Sequence, residues 1–175
     1  MARRKNIDQY QKGRAGREKR LRQEFCPAIN SVYEKIASTL RFNLHGITSE
    51  PDYEVAIDSK TVAYFEAEFP DEGRWPFGDE FQFPTIRWPD RKWDHYKPGE
   101  GFFDSKPLFF ISIRGDLGDA YYLDGKTWFA KGKKEKFWDS VFYGLPKSDP
   151  DLGRGLAEIE SYVRNRVKTI YGITI

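Results

Sequence analysis

The clearest pattern along the chain is a strict alternation over residues 61–69, Thr-Val-Ala-Tyr-Phe-Glu-Ala-Glu-Phe. In an extended strand, Ala63, Phe65, Ala67 and Phe69 fall on one face and Val62, Tyr64, Glu66 and Glu68 on the other. A strand that buries the first face fixes two carboxylates side by side on the second. Upstream, Leu21, Phe25, Ile29, Val32, Ile36 and Leu40 recur at steps of three and four, which predicts helix from about Gly16 to Leu40. Pro27 interrupts that pattern, and either kinks one long helix or opens a second at its first turn.

Residues 42–69 read as strands, punctuated by Gly46 and an Asp58-Ser59-Lys60 turn. Residues 70–106 are rich in Pro, Gly, Trp and charge. Within them residues 81–88 suggest a short strand, and Pro89-Asp90 a helical turn through Arg91, Lys92 and Trp93. Leu108 to Ile113 predicts a short, central, apolar strand. Ala120 to Leu123 and Thr127 to Ala130 read as a hairpin around Asp124-Gly125. Lys131 to Lys136 reads as a solvated connection. A last helix is expected over 151–168, with Leu156, Ile159, Val163 and Val167 on one stripe. Helix, strands, irregular insertion, strands and helix together predict an α/β fold with helices on the faces of a sheet.

Composition narrows the class. The 175 residues suit one domain, expected over 14–175 behind a basic, disordered tail at 1–13. Cys26 alone excludes an intramolecular disulfide and a four-thiolate zinc site, and with only His45 and His95 a histidine-rich metal site is not expected. No apolar run reaches the ~20 residues of a membrane span, and no apolar stretch follows the N-terminal arginines as in a secretory signal. A soluble, cytoplasmic protein is expected. Residues 1–25 hold nine Lys/Arg against Asp8, Glu18 and Glu24, a net +6, while the remainder is −4. A basic segment on an acidic body fits either a polyanion partner or a solubilising terminus.

Glu66 and Glu68 follow Pro51-Asp52 through one hairpin, so Asp52 can lie near both. Three convergent carboxylates repel one another unless a cation neutralises them, and a hard divalent ion does so well. An acidic strand face paired with nearby Arg or Lys would look the same in the sequence. Glu54 shares the strand face of Asp52 and is a further candidate ligand.

Pro51-Asp52 followed by Glu66-Ala67-Glu68 resembles the motif of the PD-(D/E)xK nuclease superfamily. The segment from Lys12 to Glu18 is similar to the first helix of its resolvase-like members. The resemblance spans roughly residues 12–115. It implies a restriction-endonuclease-like mixed β-sheet flanked by helices, with the aromatic- and Pro-rich segment as an insertion. It also implies a Mg²⁺- or Mn²⁺-dependent endonuclease acting on DNA. Asp52, Glu66 and Glu68 would be metal ligands, joined by Glu18, Glu24 or Glu34, with Glu18 favoured by the resolvase-like context. Glu68 stands where the superfamily usually has lysine; it would hold water or act as general base, and Lys92 is the candidate substitute cation. Arg14, Arg17, Lys19, Arg20 and Arg91 are the expected nucleic-acid contacts. RNA as substrate, a homodimer, and a catalytically inactive binding or assembly role on the same fold stay open.

By letters alone, Pro89-Asp90 with Asp104-Ser105-Lys106 also matches the motif, as does Asp58-Ser59-Lys60 after Pro51-Asp52, but both Asp-Ser-Lys triplets read as turns. Trp75, Trp88 and Trp93 among Arg74, Arg87 and Arg91 could grip bases, though anchoring of an irregular loop is the expected role. No P-loop occurs.

Overall fold

The computed structural model describes residues 21–35, 39–44, 51–68, 70, 75–99, 106–137 and 140–175. A π-helical turn, Leu21–Phe25, runs into helix α1, Cys26–Lys35. Pro27 therefore lies in the first turn of an α-helix, where its missing N–H costs nothing. Strands β1 (Arg41–Leu44), β2 (Tyr53–Ile57) and β3 (Lys60–Glu68) follow as an antiparallel meander. Asp58 and Ser59 both take positive φ, the requirement of a tight two-residue hairpin, so this Asp-Ser-Lys triplet is a turn. The chain continues through β4 (Thr85–Pro89), α2 (Asp90–Tyr96), β5 (Leu108–Ile113), β6 (Ala120–Asp124) and α3 (Gly125–Lys131). It ends with β7 (Lys133–Phe137), β8 (Ser140–Pro146), β9 (Gly153–Arg154) and α4 (Ile159–Tyr171).

The result is mixed α/β with two sheets among the described residues. The larger has the order β1-β2-β3-β5-β6-β9, and β3 pairs with β5 in parallel while its other pairs are antiparallel. The smaller has the order β4-β8-β7. On one face of the large sheet, Phe25, Ile29 and Tyr33 of the first helical segment and Ile159, Val163 and Val167 of α4 bury against Phe65, Ala67, Phe109 and Tyr122. On the other face a second core gathers Trp88 and Ile86 of the small sheet, Tyr96 of α2 and Trp128 of α3 over Phe110 and Leu123. All six residues of β5 are buried because both faces are covered. No helix among the described residues is long and apolar enough to cross a membrane.

Two expected elements are overturned. Asp124-Gly125 does not turn a hairpin: the Asp124 side chain accepts from the Thr127 backbone N–H at 2.8 Å and caps α3, so Thr127 to Ala130 is helical. The stretch after Lys131 is a strand, β7, hydrogen-bonded to β8. The last helix, expected over 151–168, begins later, at Ile159, after a 3₁₀ turn. Trp75 and Trp88 are fully buried, as loop and core anchors rather than as an exposed grip. The expected tail at 1–13, and Arg14, Arg17, Glu18, Lys19 and Arg20, lie outside the described residues.

Candidate functional site

The candidate site forms on the second face of β3. Phe65 and Ala67 turn into the first core, so Glu66 and Glu68 point the opposite way, toward α2. That helix opens at Pro89-Asp90 and is only seven residues long. Lys92 and Tyr96 stand four positions apart on it, which puts both on one face. Trp93, a step round the helix, stacks on Tyr143 of β8 at 3.8 Å and holds the helix against the small sheet.

Lys92 is 2% exposed. Its Nζ lies 2.7 Å from Glu66 Oε1 and 3.0 Å from Glu68 Oε1, and donates to the Ala67 carbonyl at 2.9 Å. Lys92 is therefore buried against both glutamates and not a surface lysine. Tyr96 donates to Glu66 Oε2 at 3.0 Å, so each oxygen of this buried carboxylate has a donor from α2. Glu68 is a quarter exposed and also meets the guanidinium of Arg91 at 3.3 Å; Arg91 itself reaches into solvent. Asp52, just before β2, accepts from the Ala67 backbone N–H at 2.9 Å. That bond gives Asp52 a structural role of its own, closing the end of the β2–β3 ladder.

The structure thus brings together Glu66, Glu68, Lys92 and Arg91, with Asp52 tied to the β3 backbone at Ala67. Glu24 and Glu34 are exposed on the first helical segment, and Glu54 is half-buried opposite Tyr64. Tyr96 was not among the expected site residues, although its i,i+4 spacing from Lys92 on a helix opened by Pro89-Asp90 was the available signal. Among the described residues no three His, Cys, Asp or Glu side chains stand together as a metal-binding group. The point that the Glu66 and Glu68 oxygens share is taken by the Lys92 ammonium.

A separate cleft, lined by Tyr122, Arg154, Tyr162 and Arg166, lies on the opposite side of the large sheet. Its arginines are engaged by Asp119 and Glu80 and by Asp151. It lies apart from the Glu66–Glu68 cluster and is not the candidate site. The chain matches no family model, no curated protein and no solved structure.

Proposed function

We propose that this chain has a restriction-endonuclease-like fold and hydrolyses DNA phosphodiester bonds with Mg²⁺ or Mn²⁺. The observation that carries the reading is the burial of Lys92 between Glu66 and Glu68. Position 68 lacks the lysine of the resembled motif, and α2 delivers an ammonium to the same carboxylates. Glu66 and Glu68, flanked by Asp52, would hold the ion, which when bound supplies neutralisation of the charge that builds on the phosphoryl group. Tyr96 and Lys92 fix the Glu66 carboxylate in one orientation. Glu68, the more exposed of the pair, would hold the attacking water or take its proton, and Lys92 and Arg91 fix its carboxylate in place in the ionised form. Arg91 extends from the rim of the site as a phosphate contact.

The test is cleavage of a labelled DNA panel (duplex, single strand, nick and junction) with Mg²⁺ or Mn²⁺, run beside Glu66→Ala. The wild type should cut at least one substrate and the variant none. Cleavage by a correctly folded Glu66→Ala protein would falsify the site.

One observation supports a second reading, a non-enzymatic binding or assembly protein on the same scaffold. Lys92 already neutralises much of the Glu66–Glu68 charge without an ion. Thermal titration separates the two: a nuclease site gains stability from Mg²⁺ in a Glu66-dependent way, and a metal-independent one does not.

A further inference from the structure

All six residues of β5, Leu-Phe-Phe-Ile-Ser-Ile, are buried, and Ser112 is the only polar one. Alternation sets the direction of its side chain. Phe109, Ile111 and Ile113 enter the first core and Leu108 and Phe110 the second, so Ser112 belongs to the second face. The register agrees on both sides: Ser112 is paired with Glu68 of β3 and with Tyr121 of β6, and Tyr121 is part of the second core. Ser112 therefore stands directly beside Glu68, on the face over which α2 lays Lys92.

Topology marks the same place. β3 and β5 are the parallel pair of the large sheet, Glu68 is the last residue of β3, and Ser112 is the last but one of β5. Both stand at the carboxyl ends of parallel strands, where open α/β sheets bind their ligands.

Packing does not account for the serine. It is 2% exposed, and among the described residues its side chain has no hydrogen-bond partner. A hydroxyl so nearly buried and so placed opposes folding. Alanine would meet the need for a small side chain without that cost. Polar groups that break the local rule in this way gather at functional positions.

We propose that Ser112 is a catalytic residue of the nuclease site, its hydroxyl holding the attacking water from β5 while Glu68 holds it from β3. Lys92 and Arg91 reach Glu68 from α2, and Ser112 flanks it within the sheet. A water in that position donates one hydrogen to the Glu68 carboxylate and the other to the serine oxygen, which leaves its lone pairs to the phosphorus. On attack the new O–P bond forms and the water proton passes to Glu68. The bond from phosphorus to the leaving oxygen breaks, and that oxygen takes a proton from solvent. The proposal rests on the nuclease reading and adds a residue that lies outside the resembled motif.

Ser112→Ala, assayed on a DNA substrate that the wild type cuts, should lower kcat about tenfold or more with KM little changed, since the water and not the DNA has lost a contact. In EDTA and without DNA the same variant should melt no lower than wild type, and up to about 4 °C higher. A serine with only a structural role would do the reverse, lowering the Tm and leaving the kcat of the folded enzyme unchanged. Wild-type kcat in Ser112→Ala, or a Tm lower by more than about 2 °C, overturns the proposal and leaves the nuclease reading standing. A wild type that cuts no substrate overturns the nuclease reading and this proposal with it, so the two failures are told apart.

Discussion

Replacing Lys92 by methionine keeps an unbranched stem of similar length and removes the ammonium. In the folded protein that ammonium is buried between Glu66 Oε1, Glu68 Oε1 and the Ala67 carbonyl at 2.7, 3.0 and 2.9 Å. Its loss leaves Glu66, 7% exposed, without its nearest cation. Removing one member of a buried pair costs about 3–5 kcal/mol, because the remaining charge has lost its compensation. Glu68 contributes less, being a quarter exposed and still beside Arg91, and solvent screens most of its share. The lower end, about 3 kcal/mol, is therefore expected. At about 2–4 °C per kcal/mol for a chain of this size, the Tm should fall by about 10 °C. Urea and thermal melts measure this, with the urea m-value unchanged. The double variant Lys92→Met with Glu66→Leu should recover most of the loss, since a buried pair can be exchanged for apolar groups at little cost. A single variant within about 1 kcal/mol of wild type would refute the ion pair as described. Mg²⁺ at a hundredfold excess over its Kd adds about 2.7 kcal/mol to a protein that binds it only when folded. That gain should be larger in Lys92→Met than in wild type if Glu66 and Glu68 are the ligands.

Tyr96→Phe removes the second donor to Glu66 and should cost about 1.5–3 kcal/mol in urea denaturation, the range for a hydrogen bond to a charged group; a loss below about 0.5 kcal/mol contradicts it. Gly153→Ala would put a Cβ on the Tyr122 ring, which is fully buried and held by its hydroxyl to the Arg154 and Gly155 carbonyls. Its cost should reach about 3 kcal/mol, the upper range for overpacking, and wild-type stability in that variant would mean the ring can move. Lys131 and then Arg166 hold the Asp151 carboxyl below the usual carboxylate range. A depressed folded value stabilises above the unfolded pKa, and the contribution is lost as pH falls through the folded one. Asp151→Asn should therefore lower the Tm at neutral pH, with the gap to wild type closing below about pH 4. A gap that persists near pH 2 would assign the effect to something other than charge.

What could be read from the chain, and what could not, divides along burial. The β3 alternation carries its own geometry, because a period of two assigns every side chain to a face without reference to the rest of the protein. The Pro89-Asp90 helix start is equally local. The depth of Lys92 is not: it depends on Trp93 finding Tyr143, fifty residues later, in a strand that the sequence does not announce. That strand, β8, belongs to a sheet whose edge, Lys-Lys-Glu-Lys-Phe, has no apolar alternation because neither of its faces enters a core. α3 is not legible as a helix because Thr-Trp-Phe favours strands and Asp-Gly favours hairpins. The deciding group was the Asp124 carboxylate, which bonds a backbone N–H three residues on, and Trp128, which needs a helical turn to reach the second core. Local propensity lost to a cap and to tertiary burial.

The balance of charge around β3 links the geometry to its chemistry. Glu66 and Glu68 face two cations, Lys92 and Arg91, and Asp52, tied to the β3 backbone at Ala67, brings the count of these five groups to one net negative charge. A phosphodiester is also negative, and a site of that sign repels it at the distances where the reaction would occur. A divalent ion reverses the sign to one net positive. Lysine at position 68 would reach a positive balance without an ion, whereas glutamate there cannot. The Glu68 departure therefore makes any approach of phosphate to this cluster more dependent on a metal, and the ammonium from α2 determines how many carboxylates can gather before the strand face becomes too costly to bury. On this argument the same substitution that weakens the motif match strengthens the metal requirement, and Mg²⁺ dependence is the property on which the nuclease reading stands or falls.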